Sequence, residues 1–179
     1  QRDTATLVTA ADGTPLRAFA DAQGVWRYPA DPGSVSPLFL QALLTYEDRH
    51  FYHHPGVNPW ALWRAAGQWL GQGRIISGGS TLTMQVARLL EPDTRSVLGK
   101  ARQILRALQL EAHLDKQQIL TLYLERAPYG GTIEGVQAAS WAYLGKPASA
   151  LSHAEAALLA VLPQAPSRLR PDRHPQAAQ

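Results

Sequence analysis

A mainly α-helical domain, led in by a short β-like segment, is the fold class this sequence predicts, on three observations. From Ser36 onward apolar residues recur at helical spacing. The segments so marked open on caps (Ser36-Pro37, Asn58-Pro59, Asp115-x-x-Gln118, Ser152-x-x-Glu155) and stop at Gly56 and Gly145. Strand-like signals are confined to the chain before Pro29.

Taken in order, "TLVTAADGTPLRAF" sets Asp12-Gly13 between two apolar runs and predicts a hairpin. "VWRYP" adds a candidate strand before the Pro/Gly/Ser-rich stretch that closes a lead-in segment over 1–35. The first helix follows Ser36-Pro37 through "LFLQALLTYEDRHF", with Pro55 disfavouring helix at His54. "WALWRAAGQWLGQG" is helical after Asn58-Pro59, and a glycine loop then feeds a helix starting near Ser80. A long helix is expected from Thr94 or Arg95 to about His113, then one capped at Asp115, one ending at Gly145 and one capped at Ser152.

With 179 residues, 45% of them hydrophobic, and five Trp, the chain has the size and composition of one folded domain. The absence of cysteine excludes a disulfide scaffold and any thiolate zinc site. A net charge of +3 and a pI near 9.4 fit either ordinary solubility or an anionic partner. No nucleic-acid fold signature accompanies that charge, so no nucleic-acid partner is expected. No apolar run reaches the roughly 18 residues of a membrane span. The chain lacks an initial Met and a signal-like apolar run, and it ends in a polar tail, as a domain cut from a longer protein would.

"LLTYEDRHFYHHPG" (43–56) concentrates carboxylates, histidines and aromatics. On a continuous helix Glu47, His50 and His54 would share one face, yet no second Glu-x-x-His completes a metal site, and none is assigned. A single carboxylate walled by Tyr46, Phe51 and Tyr52 suits acid/base work, with a solvated helix end as the alternative. Glu47 and Asp48 would point about 100° apart on a helix, so one serves chemistry and the other structure. "GGSTLTMQVARLL" offers free amides, hydroxyls and a helix N-terminus for an anionic oxygen cluster, or simply an ordinary cap. Arg74, Arg88, Arg95, Lys100, Arg102 and Arg106 follow, as a phosphate site or a solvated basic face. Trp60, Trp63 and Trp69, interleaved with Arg64 and Arg74, suit a membrane interface or a core helix.

In order and spacing, "EDRHFYHHPG", "GGSTLTMQ", "RSVLGKARQ", "KQQILTLYLERAPYGG" and "AASWAYLGK" resemble the five motifs of the peptidoglycan glycosyltransferases. This is glycosyltransferase family 51, the N-terminal module of class A penicillin-binding proteins, and the resemblance covers roughly residues 36–170. It implies a lysozyme-like helical head and a smaller membrane-facing jaw lobe, at about 57–80 within a glycosyltransferase domain over 36–179. It implies polymerisation of lipid II into β-1,4-linked glycan, the acceptor 4-hydroxyl attacking donor C1 with inversion as undecaprenyl pyrophosphate leaves. A muramidase-like hydrolase, or a non-catalytic module binding lipid II or membrane, is the alternative.

By the same resemblance Glu47 is the base and Asp48 its neighbouring acid, in a positioning or structural role. Phe51, His54, Arg64, Ser80, Thr81, Thr83, Gln85, Arg88, Arg95, Lys100 and Gln103 match substrate-site positions. Arg88 replaces the usual Lys, and three further departures stand out: a third motif with Gly99 for a cation and Gln103 for the second carboxylate, Met84 where the family often has Gln, and Glu125 where it often has Asn. No cofactor is required, with a divalent cation such as Mg2+ optional at the pyrophosphate. The implied partners are lipid II, the lipid-linked glycan chain, a membrane surface met by Trp60, Trp63 and Trp69, and a transpeptidase-like domain farther along the chain. The implied location is the periplasmic face of a bacterial inner membrane.

Overall fold

The computed structural model describes residues 5–11, 15–60, 63, 64, 67, 79–92, 96–166, 171 and 172. It is mostly helical with two small sheets, and it divides into two compact units, 1–46 with 121–179, and 47–120. Among the described residues, no helix is long and apolar enough to cross a membrane.

In the first unit, β1 (Thr6–Thr9) and β2 (Pro15–Phe19) form the expected antiparallel hairpin, pairing Thr6 with Phe19 and Val8 with Arg17. β3 (Trp26–Arg27) does not extend that hairpin. It pairs in parallel with β5 (Ile133–Glu134), which pairs antiparallel with β4 (Pro128–Gly130). Parallel neighbours need a long connection, and here more than a hundred residues intervene, so local pattern could not show the partner. Arg27 secures the register through two bonds to Glu134 Oε2, from Nε at 3.1 Å and from Nη2 at 2.6 Å. Ala5, Tyr28 and Ala138 form a buried cluster under Trp26, Ile133 and Trp141, so the lead-in segment is part of the packed unit.

Helix α1 (Pro37–Glu47) buries Phe39 and Leu43 completely, one turn apart on its inner face. Its first turn hangs from Ser36, whose carbonyl accepts from Phe39 and Leu40 while its own amide donates to Ala148 O. The helices α5 (Val136–Leu144) and α6 (His153–Val161) complete this unit. Gly145, at φ +69°, ends α5, and the reciprocal Ser152/Glu155 capping box opens α6. Gly135, at φ +82°, admits no side chain, because a Cβ there would meet Glu125 O at 2.6 Å.

In the second unit, α2 (Leu82–Leu90) packs along α3 (Val97–His113). Leu82, Met84, Val86 and Ala87 are buried from α2, with Ala107 from α3. The expected helix start near Ser80 moves to Leu82, with Thr81 as cap, and that at Thr94 or Arg95 moves to Val97. Ser96 caps α3, its Oγ accepting from Gly99 N at 3.0 Å. The first turns of α4 (Lys116–Arg126) follow, where Asp115 Oδ1 accepts from Gln118 N and Gln118 Oε1 from Asp115 N, as the sequence pattern predicts.

Candidate active site

Helix α1 ends at Glu47, which overturns the expectation that Glu47, His50 and His54 share a helix face. The chain leaves the helix at Asp48, makes a 3-10 turn over Phe51–His53 and is extended at His54 (φ −128°, ψ 152°). The cause is long-range. Asp48 is drawn into a buried site, where Oδ2 accepts from Leu82 N at 2.9 Å and both oxygens meet His54 Nε2, at 3.0 and 2.9 Å. A carboxylate only accepts, so the ring proton sits on Nε2. Nδ1 of His54 is buried with no hydrogen-bond partner among the described residues. Asp48 and His54 thus form an ion-pair-like clamp, with side chains 5% and 6% exposed.

Glu47 is half-buried, and its Oε2 accepts from Gln85 Nε2 at 2.6 Å. Gln85 lies one turn into α2, so the helix that Asp48 caps also presents the amide that orients Glu47. The two adjacent acids diverge: Asp48, beyond the helix end, goes inward to the clamp, while Glu47 accepts from Gln85.

The helix N-terminus expected to bind an anionic ligand is already engaged. Leu82 N goes to Asp48, and Met84 N donates to Thr81 Oγ1 at 3.2 Å. Thr81 Oγ1 in turn donates to Gly56 O at 2.5 Å, and Thr83 Oγ1 donates to Glu111 Oε1 at 2.7 Å. Phe51, Thr81 and Thr83 are buried, so these three, grouped above with the substrate contacts, hold the loops together instead of offering a surface. His54 joins them through its clamp on Asp48.

The cationic side of the site is built from side chains. Lys100 on α3 donates from Nζ to Ser80 Oγ, and to Gln103 Oε1 at 3.0 Å; Gln103 Nε2 donates to Met84 O at 2.8 Å. Gln103, where a second carboxylate was the usual residue, is therefore a brace between Lys100 and α2. Burial, and then the charge of Arg88, hold the Lys100 ammonium below the usual lysine range. A cation desolvated in this way gains most from an arriving anion.

Mg2+ prefers an oxygen cage that includes carboxylate. Beside Lys100 stand a hydroxyl, an amide oxygen already in use and a guanidinium, a donor set that does not suit that ion. Among the described residues no cluster of three His, Asp or Glu suits a metal. Arg64 and Arg88 are exposed, as are Trp60 and Trp63 at 80% and 78%. Arg95 and Trp69 lie outside the described residues, as does most of the expected jaw at 57–80.

Sequence reasoning missed Lys116 and Glu111, which join this network through His54 O and Thr83. One signal was available: Lys116 opens α4, where the helix dipole disfavours a cation.

Penicillin-binding protein 1C of Escherichia coli is 65% identical to the chain over 175 residues, 98% of this chain and 23% of that protein. Penicillin-binding protein 1A of Pseudomonas aeruginosa is 42% identical over 89% of this chain and 19% of that protein. Penicillin-binding protein 1A of Aquifex aeolicus is 42% identical over 78% of the chain and 19% of that protein. The chain thus spans about a fifth of the length of these curated relatives. The family model described as Transglycosylase matches residues 12–179, nearly the whole chain including the Glu47 loop and the Lys100 helix. On that match, the chain belongs to the transglycosylase family.

Proposed function

We propose that this domain is a peptidoglycan glycosyltransferase that polymerises lipid II, with Glu47 as its base. The acceptor 4-hydroxyl oxygen attacks donor C1 and passes its proton to the Glu47 carboxylate. The bond from C1 to the pyrophosphate oxygen breaks, the anomeric centre inverts, and the leaving group takes the electron pair. Lys100, with Ser80 beside it and Arg88 near, neutralises that pyrophosphate. In this reading charge neutralisation rests on side-chain cations, and any Mg2+ comes with the substrate, since the described groups beside Lys100 do not suit that ion. The observation that carries the reading is the Glu47–Gln85 contact of 2.6 Å in the same compact unit as the desolvated Lys100.

The membrane partner is read from Trp60 and Trp63, whose exposed indoles suit the bilayer interface. That reading places the domain at the periplasmic face of a bacterial inner membrane, with a transpeptidase-like domain in the remaining length of the full protein.

The test is labelled lipid II with the wild-type chain and with Glu47→Gln, which keeps an acceptor for Gln85. Wild type forms polymer and the variant loses at least 100-fold in rate, in line with removal of a general base. Full activity in the variant refutes the assignment. Release of glycan from finished cell wall, with no use of lipid II, replaces it with a hydrolase.

A further inference from the structure

The geometry points to Lys116 as a positioning residue for the proposed base: through the loop from Asp48 to His54, it holds Glu47 where the reaction needs it. This inference rests on the reading of Glu47 given above.

Lys116 Nζ makes three contacts, two of them on that loop and one on α3. It donates to His54 O at 2.7 Å, lies 4.5 Å from the centre of the Phe51 ring, and pairs with Glu111 Oε1 at 2.6 Å. The pair is largely withdrawn from water, with side chains 20% and 11% exposed for Lys116 and Glu111. Glu111 also accepts from Thr83 in the first turn of α2. One ammonium therefore ties the loop after Glu47 to the two helices that carry Gln85 and Lys100.

Helix energetics do not account for a cation at this position. Lys116 is the first residue of α4, where a cation opposes the dipole; the acid at that end, Asp115, is the cap and accepts from Gln118 N. A residue that breaks a local rule while closing a buried network marks a site where position matters. The loop also has little freedom to re-form elsewhere. Gly56, at φ +86°, lies so close to α3 that a Cβ would meet Ala107 O and Glu111 Cγ at 2.8 Å. The loop is thus pinned at Asp48 by Leu82, at His54 by Lys116 and at Gly56 by Thr81.

Removing Lys116 alone would strand the buried Glu111 carboxylate and could unfold the unit, so the test pairs Lys116→Met with Glu111→Gln, which still accepts from Thr83. The variant is compared with wild type in three measurements: lipid II polymerisation, melting temperature, and hydrogen exchange at the Leu82 and His54 amides. A misplaced catalytic group is expected to lower kcat on the order of 10- to 100-fold. KM should stay within about twofold, because uniform substrate binding is untouched. Leu82 and His54 amides should exchange at least about tenfold faster, the mark of a loop that opens locally. Lys116→Arg, which keeps a cation within reach of His54 O, should recover most of the rate.

A purely structural role would instead lower melting temperature and active fraction together and leave kcat per folded molecule unchanged, and that result overturns the proposal. So does unaltered exchange at Leu82 and His54. If the wild-type chain makes no polymer, the functional reading fails by itself, and the exchange arm still decides whether Lys116 holds the loop.

Discussion

Replacing Asp48 with alanine should unfold the domain more readily, while replacing its neighbour Glu47 should not. The wild-type carboxylate meets two donors, His54 Nε2 and Leu82 N, all within 3.0 Å. Truncation strands both in a buried site, where His54 Nδ1 already has no partner among the described residues. Breaking a buried charge-assisted pair from one side costs about 3–5 kcal/mol, part of it the lost cap on α2. Asparagine keeps the shape but offers one acceptor to two donors, and its amide faces the other; one unsatisfied group costs about 1–3 kcal/mol. In a domain of this length each kcal/mol moves Tm by about 2–4 °C, so Asp48→Ala should melt on the order of 10 °C lower and Asp48→Asn several degrees lower. Denaturant unfolding followed by far-UV circular dichroism gives the free energies. Glu47→Gln, measured alongside, should stay within about 0.5 kcal/mol of wild type, as a site away from buried clamps does. Equal destabilisation by Asp48→Ala and Glu47→Gln, or less than about 1 kcal/mol for Asp48→Ala, would refute the division of labour between the two acids.

Inorganic pyrophosphate binding should raise the Lys100 pKa, which burial and then the charge of Arg88 hold below the usual lysine range. Calorimetry in two buffers of different ionisation enthalpy should show proton uptake in wild type and less in Lys100→Met. The sign for stability follows: with the folded pKa below the unfolded one, the charged amine opposes folding fully below the folded value, and the penalty fades as pH rises from there to the unfolded value. Glu155 should titrate at about 2, held down first by its bond to Lys146 and then by Ser152, and carboxyl NMR should report that midpoint. Its stabilisation is fully present above the unfolded value of about 4.3 and is lost as pH falls through the folded one, and Lys146→Met should raise the midpoint. Trp60→Ala with Trp63→Ala should weaken binding to anionic liposomes more than it lowers Tm; the opposite order would make these indoles core instead of interface.

Local chemistry made much of the fold legible. The pairing of β1 with β2, the start of α1, the boxes at Asp115 and Ser152 and the stop at Gly145 all arise from residues within a few positions of one another. What stayed hidden depended on distant partners. The end of α1 is set by Leu82 and His54 capturing Asp48, and propensity within "TYEDRHF" carries no trace of that capture. The parallel pairing of Trp26 with Ile133 has the same character. In the site, residue types announced which groups were present but not which were already engaged. Thr81, Thr83 and the first amides of α2 read as an anion cradle, yet their hydrogen bonds go to Gly56, Glu111, Asp48 and Thr81 itself. Lys116 was passed over because two of its three partners, Phe51 and His54, lie more than sixty residues back along the chain.

The brace at Gln103 also constrains which side chain this position accepts. Its amide uses both ends, nitrogen toward Met84 O at 2.8 Å and oxygen toward Lys100 at 3.0 Å. A Gln103→Glu substitution would replace that nitrogen with an oxygen facing a carbonyl oxygen, and would release Met84 O from its donor. The position therefore takes a side chain that donates at one end and accepts at the other, which a carboxylate does not do.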